Sequence, residues 1–264
     1  MSEIVLSVIC CTARKNPGLK ELVESLEQQG LPKELFELVY CDKYDRSEFK
    51  KILSESNLNY QYLKEKPSGK EGQTISSARN QAVDSSRGEY IVNVDDLITL
   101  YPDTLANHLQ LFEDGFDAIA GFSDFVHEER FHEDEPNKQD ERGNLPRTSP
   151  MAAMHFYGYH CGFKKEFWAK VGGYDETFDG VYGWEDIDFG IRMHRAGATI
   201  CFAPHVRVNQ VRDDTHEDLV DVMITNKGSK IPRSIMQGEV RWRNDKLHAM
   251  TLTNYNRIGW RRDD

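Results

Sequence analysis

Residues 74–96 read TISSARNQAVDSSRGEYIVNVDD, and this stretch joins a helix to a strand through a short Arg-Gly turn. The pattern predicts a helix over residues 74–86. The mostly apolar residues 89–94 have the length and composition of a buried strand. That strand ends in two adjacent aspartates, Asp95 and Asp96. A pair of carboxylates is therefore predicted where a buried strand enters a loop.

The same alternation of strand and helix continues on both sides of this stretch. Before it, apolar runs predict strands at residues 4–11, 34–41 and 58–65, separated by helical patterns, and a helix follows at 102–113. This order predicts an α/β fold with a mainly parallel, doubly wound sheet flanked by helices. Further on, the sequence predicts a strand at 117–126, an exposed loop at 127–155, short helices within 160–176 and 183–198, and one or two closing strands at 199–211.

The composition is that of a soluble globular protein. The chain has 264 residues, enough for one large α/β domain, and a net charge of −11, which argues against a surface devoted to nucleic acid. Residues 225–264 carry +5, so this tail either contacts something anionic or packs on its own acidic body. Five scattered cysteines without a CxxC pair predict neither a zinc site nor a disulfide framework. We find no signal peptide and no apolar run of membrane-spanning length, so a cytoplasmic location is expected.

Polar residues after the predicted strands are the first candidates for chemistry, because ligands of such sheets bind beyond the carboxyl ends of the strands. Arg14 follows the first strand, Asp42 the second and Asp95–Asp96 the fourth. Together they offer positive and negative groups that would suit a nucleotide. Two carboxylates can also hold a hard divalent cation, although either aspartate could simply cap the turn into the next helix.

Two further groups each allow a functional and a structural interpretation. In Gly183-Trp184-Glu185-Asp186, a carboxylate beside an aromatic ring could serve as general base, or the acids could merely suit the first turn of a helix. Arg79-Asn80 could reach a phosphate or a base edge, or Arg79 could form an ordinary surface pair with Asp84.

Four segments in this order resemble family 2 inverting glycosyltransferases of the GT-A fold. They are SVICCTAR (7–14), VYCDKYD (39–45), SSARNQAVDSSRGEYIVNVDDLITLYPDTL (76–105) and FWAKVGGYDETFDGVYGWEDIDFGIR (167–192). The last is also similar to the corresponding part of the β-1,4-galactosyltransferases. The resemblance covers about residues 4–210, apart from 127–155. It implies a GT-A domain at 1–210, with a nucleotide-binding half at 1–115 and an acceptor and catalytic half at 116–210. A basic extension at 211–264 follows.

The resemblance also implies roles for individual residues. Asp186 falls on the catalytic base of the family's ED motif, with Glu185 beside it. Asp95 and Asp96 are the implied ligands of Mn²⁺ or Mg²⁺. The donor, a nucleotide-sugar linked to UDP, is implied to contact Thr12, Ala13, Arg14, Asp42, Arg79, Asn80, Asn93, Val94 and Asp95. The acceptor is implied to contact Gly183, Trp184, His160, Cys161 and Gly162.

The sequence departs from the family pattern at two places. Asn93 stands where the DxD metal-binding motif has its first acid. The family's late metal-binding histidine falls near Asn209 or Gln210, counted from Pro204, so His205 and His216 are the possible substitutes.

The resemblance implies metal-dependent, inverting transfer of a sugar to the hydroxyl group of a glycan or a lipid-linked saccharide. Three alternatives remain open at this point: a non-catalytic nucleotide-sugar-binding protein, a nucleotidyltransferase on a related sheet, and transfer to an anionic acceptor, such as modified nucleic acid, held by the basic tail. The sequence does not indicate an oligomeric state.

Overall fold

The computed structural model describes residues 4–70, 72–125, 153, 155–180 and 185–211. The strands in these ranges are β1 (Leu6–Thr12), β2 (Phe36–Asp42), β3 (Tyr60–Lys64), β4 (Tyr90–Val94), β5 (Ile98–Leu100), β6 (Ala118–Phe125), β7 (His160–Lys164) and β8 (Ile200–Gln210). The α-helices are α1 (Leu19–Glu27), α2 (Ser47–Glu55), α3 (Ile75–Ser85), α4 (Thr104–Glu113), α5 (Lys165–Val171) and α6 (Glu185–Arg195). Single 3₁₀ turns occur at Lys33–Leu35 and Glu176–Phe178.

All eight strands belong to one sheet in the order β3-β2-β1-β4-β7-β6-β8-β5. Strands β3, β2, β1 and β4 are parallel, and β6 is parallel to β8. Strand β7 is antiparallel to β4 and β6, and β5 is antiparallel to β8. The mainly parallel α/β sheet predicted from the sequence is thus confirmed. The carboxyl ends of β1, β2 and β4 meet at one edge.

Strand β1 shows why the predicted strands read as continuous apolar runs. All seven of its residues are buried. Ile9 and Cys11 pack into a core with residues of α3 and α6, while Val8 and Cys10 pack into a second core with residues of α1 and α2. Because helices cover both faces of the sheet, both faces of a central strand must be apolar. The five cysteines all lie within the described residues, where they are buried and form no disulfide bond.

The structure adds two strands to the predicted pattern. β5 forms directly after the two aspartates and pairs with β8, which is a single continuous strand. β7 precedes the helix expected within residues 160–176. The predicted loop at 127–155, apart from residues 153 and 155, and the tail beyond residue 211 lie outside the described residues. Within the described ranges, none of the helices is long and apolar enough to cross a membrane.

Candidate active site

A buried arginine lies at the centre of the cluster beyond the carboxyl end of β4. Arg79, on α3, is 4% exposed. Its Nη1 lies 2.6 Å from Oε1 of Glu185, at the start of α6, and its Nη2 lies 3.5 Å from Oδ1 of Asp95. Burial opposes the charge of Arg79, but Glu185, followed by Tyr174 and Asp95, raises its pKa overall, so it stays protonated. The structure therefore brings together three residues that are far apart in the sequence.

The backbone of Gly158 connects this arginine to the predicted catalytic base. Its carbonyl oxygen accepts hydrogen bonds from Arg79 Nη2, at 3.3 Å, and from Asn93 Nδ2. Its N–H donates to Oδ2 of Asp186 at 2.6 Å. A Cβ atom at position 158 would lie 2.4 Å from Arg79 Nη2, so only glycine fits without displacing the guanidinium. Sequence reasoning missed Gly158, and the signal for it was slight: one glycine within the aromatic run FYGY (156–159).

Asp186 has the electrostatic environment of a general base. It is half-buried in the first turn of α6, and its Oδ1 accepts the N–H of Ile187 at 2.7 Å. Burial and the adjacent charge of Glu185 raise its pKa to about 6, against the opposing effects of Arg79 and the backbone N–H groups. A carboxylate with such a pKa is deprotonated at neutral pH and more basic than an ordinary aspartate.

Glu185 has a different environment from Asp186. Its side chain is 7% exposed and its Oε1 accepts from Arg79. Because this carboxylate is bound to the guanidinium, it is suited to holding Arg79 and not to taking a proton from an acceptor. The predicted catalytic pair thus divides into Asp186 as the candidate base and Glu185 as a positioning residue.

The two aspartates after β4 also differ in their surroundings. The side chain of Asp95 is 46% exposed. The surrounding protein still reduces its solvation, and this effect, with the charge of Asp96, raises its pKa to about 7 against the lowering effect of Arg79. Asp96 is 8% exposed, and its oxygens accept from Arg14 Nε at 2.8 Å and Thr12 Oγ1 at 2.5 Å. Asp96 therefore fastens the loop after β1 to the loop after β4.

These surroundings decide which residues fit a divalent cation. Asp95 presents a partly exposed carboxylate and fits the expected ligand. Asp96 does not fit as arranged, because Thr12 and Arg14 already engage its oxygens. Among the residues that the structure describes, no group of three or more His, Cys, Asp or Glu side chains could hold a metal ion. His205 is exposed on β8, and His216 lies outside the described residues.

Asp42 lies at the expected edge but has protein partners of its own. It is fully buried and accepts hydrogen bonds from Arg46 Nη2 at 2.6 Å and from Tyr62 Oη at 2.6 Å. Burial raises its pKa, yet the hydrogen bonds from Arg46 and Tyr62 lower it overall. Arg46 also donates to the carbonyl of Arg14 at 2.7 Å. As arranged, Asp42 orients Arg46 and the loops at the strand ends. It offers no exposed carboxylate to the base of a nucleotide.

Asn80 is the clearest departure from the predicted donor pocket. Its Oδ1 accepts from Trp168 Nε1 at 3.0 Å and from the N–H of Tyr174 at 2.8 Å, and its Nδ2 donates to Tyr174 O and Glu176 Oε1. Neighbouring residues of an α-helix point about 100° apart. Asn80 therefore faces α5 while Arg79 faces Glu185 and Asp95, and the structure does not bring the two to one site.

The predicted acceptor residues of β7 lie in the core of the described structure. His160 and Cys161 are fully buried. The Nε2 of His160 lies 2.9 Å from Nε2 of His108 on α4. A Cβ atom at Gly162 would meet the same His108 ring at 2.7 Å. The structure does not bring these three residues to the cluster around Arg79.

Four further predicted site residues are Ala13, Val94, Gly183 and Trp184. Val94 is buried, and Ala13 is half-buried in the loop after β1. Gly183 and Trp184 lie outside the described residues.

Comparison with family models gives the class of the protein. The model of glycosyl transferase family 2 matches residues 7–172, more than half of the chain. The chain belongs to this family. A second model, the N-terminal domain of galactosyltransferase, matches residues 149–217, so both predicted resemblances are confirmed. A search of curated proteins finds no match.

Solved glycosyltransferase structures share the fold of this family 2 enzyme. S. aureus TarS 1-349 is 18% identical, with a TM-score of 0.60 over 88% of this chain and 68% of that one. The mannosyltransferase PcManGT from Pyrobaculum calidifontis, in complex with GDP-Man and Mn2+, is 19% identical, with a TM-score of 0.58 over 86% of this chain and 65% of that one. The chain spans 41% of the longer S. aureus TarS structure. The GT-A fold and the assignment as a glycosyltransferase are confirmed.

Proposed function

We propose that this family 2 glycosyltransferase transfers a sugar from a UDP-sugar to a hydroxyl group of a saccharide, with inversion at the anomeric carbon. The observation that carries the proposal is the position of Asp186. Its carboxylate is held by two backbone N–H groups beside the Arg79 cluster, and its pKa is raised to about 6. Family membership supplies the reaction class, and this carboxylate supplies the base that inversion requires.

In the proposed reaction Asp186 takes the proton of the acceptor hydroxyl as the hydroxyl oxygen attacks the anomeric carbon. The bond from that carbon to the diphosphate oxygen breaks on the opposite face, and UDP leaves with the electron pair. The N–H groups of Gly158 and Ile187 fix the direction of the carboxylate. The buried positive charge of Arg79 lies beside Asp95 and favours negative charge in this part of the site.

A similar solved structure supports the nucleotide donor, and the partly exposed carboxylate of Asp95 supports the divalent cation. A structure similar to this chain is S. aureus TarS 1-349 in complex with UDP-GlcNAc, 18% identical with a TM-score of 0.60, over 88% of this chain and 69% of that one. We propose Asp95 as the protein carboxylate that holds Mn²⁺ or Mg²⁺, with Asp96 supporting the loop. When bound, such a cation neutralises charge on the leaving diphosphate.

The acceptor and the cellular location belong to the proposal as predictions. A saccharide is the acceptor that we propose. Transfer to an anionic acceptor through the basic extension at 211–264 is the competing possibility, and residues 212–264 of that extension lie outside the described residues. A steep loss of acceptor affinity with added salt would favour the anionic acceptor. A cytoplasmic location also stays a prediction.

A panel of sugar nucleotides tests the proposal before any acceptor is known. The purified protein is incubated with UDP-, GDP- and other nucleotide-linked sugars, with Mn²⁺, with Mg²⁺ or with a chelator, and release of the nucleotide is measured. We expect metal-dependent hydrolysis of a UDP-sugar. Saturable UDP binding without turnover of any donor would instead indicate a non-catalytic nucleotide-sugar-binding protein.

A further inference from the structure

We propose that Asn93 is a positioning residue for Asp186 and acts through the backbone of Gly158. This inference rests on the proposed function, in which Asp186 is the base. It gives a role to the residue that stands in place of the first acid of the family's metal-binding motif.

Asn93 lies on a central, buried strand of the sheet. It is 1% exposed on β4, between β1 and β7, where it pairs with Ile9 on one side and Cys161 on the other. Its Nδ2 donates to the carbonyl oxygen of Gly158. A side chain anchored on a central strand can hold a loop more firmly than another loop can.

Gly158 passes this restraint to the base. The same residue that accepts from Asn93 donates its N–H to Oδ2 of Asp186 at 2.6 Å. Arg79 Nη2 supports the carbonyl from a second direction at 3.3 Å. The carboxylate of Asp186 is therefore oriented by a chain of two hydrogen bonds that starts at Asn93.

The chemistry of this contact explains why an acid would not suit position 93. A carbonyl oxygen needs a donor, and an ionised aspartate offers only acceptors. An aspartate here would place a buried carboxylate against the Gly158 carbonyl with no hydrogen between the two oxygens, and the carbonyl would keep only the hydrogen bond from Arg79 Nη2. The side chain of Asn93 is also buried, whereas that of Asp95 is 46% exposed, so it is Asp95 that reaches solvent.

The pKa of Asp186 reports on this arrangement. The N–H of Gly158 stabilises the ionised carboxylate, and the charged groups that act on it are Glu185, which raises the pKa, and Arg79, which lowers it. Loss of the Gly158 hydrogen bond removes a lowering effect. A hydrogen bond to a charged group corresponds to roughly one unit of pKa.

The test measures the pKa of Asp186 by NMR of protein with labelled aspartate carboxyl carbons, in the parent and in Asn93→Ala and Asn93→Asp. Assignment uses Asp186→Asn, and thermal unfolding confirms that each variant is folded. Asn57→Asp is the matched control, because Asn57 is exposed and its Oδ1 accepts from Lys33. The acid limb of kcat against pH is measured in parallel.

We expect the pKa of Asp186 to rise by about one unit in Asn93→Ala, which adds no charge, and at least as much in Asn93→Asp. The acid limb of kcat should shift with it, and Asn57→Asp should change neither. An unchanged pKa in Asn93→Ala would overturn the proposal. So would an Asn93→Asp variant that needs less metal for half-maximal rate while its Asp186 pKa stays at the parent value.

The two proposals fail in different ways. A raised pKa in a protein that turns over no sugar nucleotide would support the positioning role and contradict the proposed function. Normal turnover of a sugar nucleotide, with an unchanged Asp186 pKa in Asn93→Ala, would support the proposed function and contradict the positioning role.

Discussion

Arg79 and Glu185 form a buried ion pair, with Nη1 and Oε1 2.6 Å apart, that joins helix α3 to the first turn of α6. The two residues are 106 positions apart in the sequence, and their side chains are 4% and 7% exposed. This pair holds the first turn of α6, which carries Asp186, against α3, and Arg79 also lies 3.5 Å from Asp95.

Removal of one charge from this pair is expected to destabilise the fold. Glu185→Gln leaves the guanidinium buried beside a neutral amide, which we expect to lower the free energy of unfolding by about 3 kcal/mol. Urea unfolding measures the change. Glu55→Gln is the control, because Glu55 is 66% exposed and lies 3.8 Å from Lys51. Equal stability of the two variants would contradict a structural role for the pair.

The absence of a side chain at position 158 is expected to be necessary. In Gly158→Ala the new Cβ would overlap Arg79 Nη2, and we expect a loss of about 1–3 kcal/mol in the free energy of unfolding together with a reduced kcat. Gly30→Ala is the matched change, since its Cβ would come no nearer than 3.5 Å to a neighbour. A Gly158→Ala enzyme with parental stability and kcat would show that Arg79 is not held against the Gly158 carbonyl.

The rate should depend on pH through Asp186. Since burial and Glu185 raise its pKa to about 6, the base is ionised above pH 6 and becomes protonated as the pH falls. We expect kcat to be level near pH 7.5 and to fall about tenfold per pH unit below pH 6. This is tested by measuring kcat from pH 4.5 to 8. Binding of a stable donor analogue, measured over the same range, is the reference for effects of pH on binding. If kcat instead fell only below about pH 4, the base would be a carboxylate with an ordinary pKa.

A second pH effect should appear in stability, through His108 and His160. Burial, followed by the charge of His160, lowers the pKa of His108 well below its usual value of 6.5. The unfolded chain therefore takes up a proton near pH 6.5 while the folded protein does not. Stability is complete above this pH and is lost as the pH falls below it, by at most about 1.4 kcal/mol per unit for one proton.

Urea unfolding at pH 7.5 and 5.5 measures this loss in the parent and in His108→Gln. The variant should lose less stability between the two pH values than the parent. Parallel losses would exclude His108 as the source.

The sequence predicted the parts of this enzyme that depend on local pattern. The succession of α3 and β4 was predictable from the sequence. Helices cover both faces of the sheet, so its central strands appear in the sequence as continuous apolar runs. Asp95 and Asp96 were predictable as a pair at a strand end. Their separation into an exposed carboxylate and one bound to Arg14 was not, since it depends on a loop 82 residues away.

The rest of the site depends on contacts that leave no local signal. Gly158 acts through its backbone, which the sequence does not distinguish from that of another loop glycine. Asn80 was assigned to the same pocket as Arg79 although helical geometry turns it towards Trp168. Glu185 was predicted beside the base, but its partner is identified only when α3 and α6 pack together.

The most direct test of the proposed mechanism is Asp186→Asn. The variant keeps the size of the side chain and an oxygen that can accept from Gly158, but it cannot take a proton. We predict that the rate of sugar transfer falls about 10²- to 10⁴-fold while the Kd for UDP, measured by calorimetry, stays at the parent value. Transfer at the parental rate would contradict the assignment of Asp186 as the base.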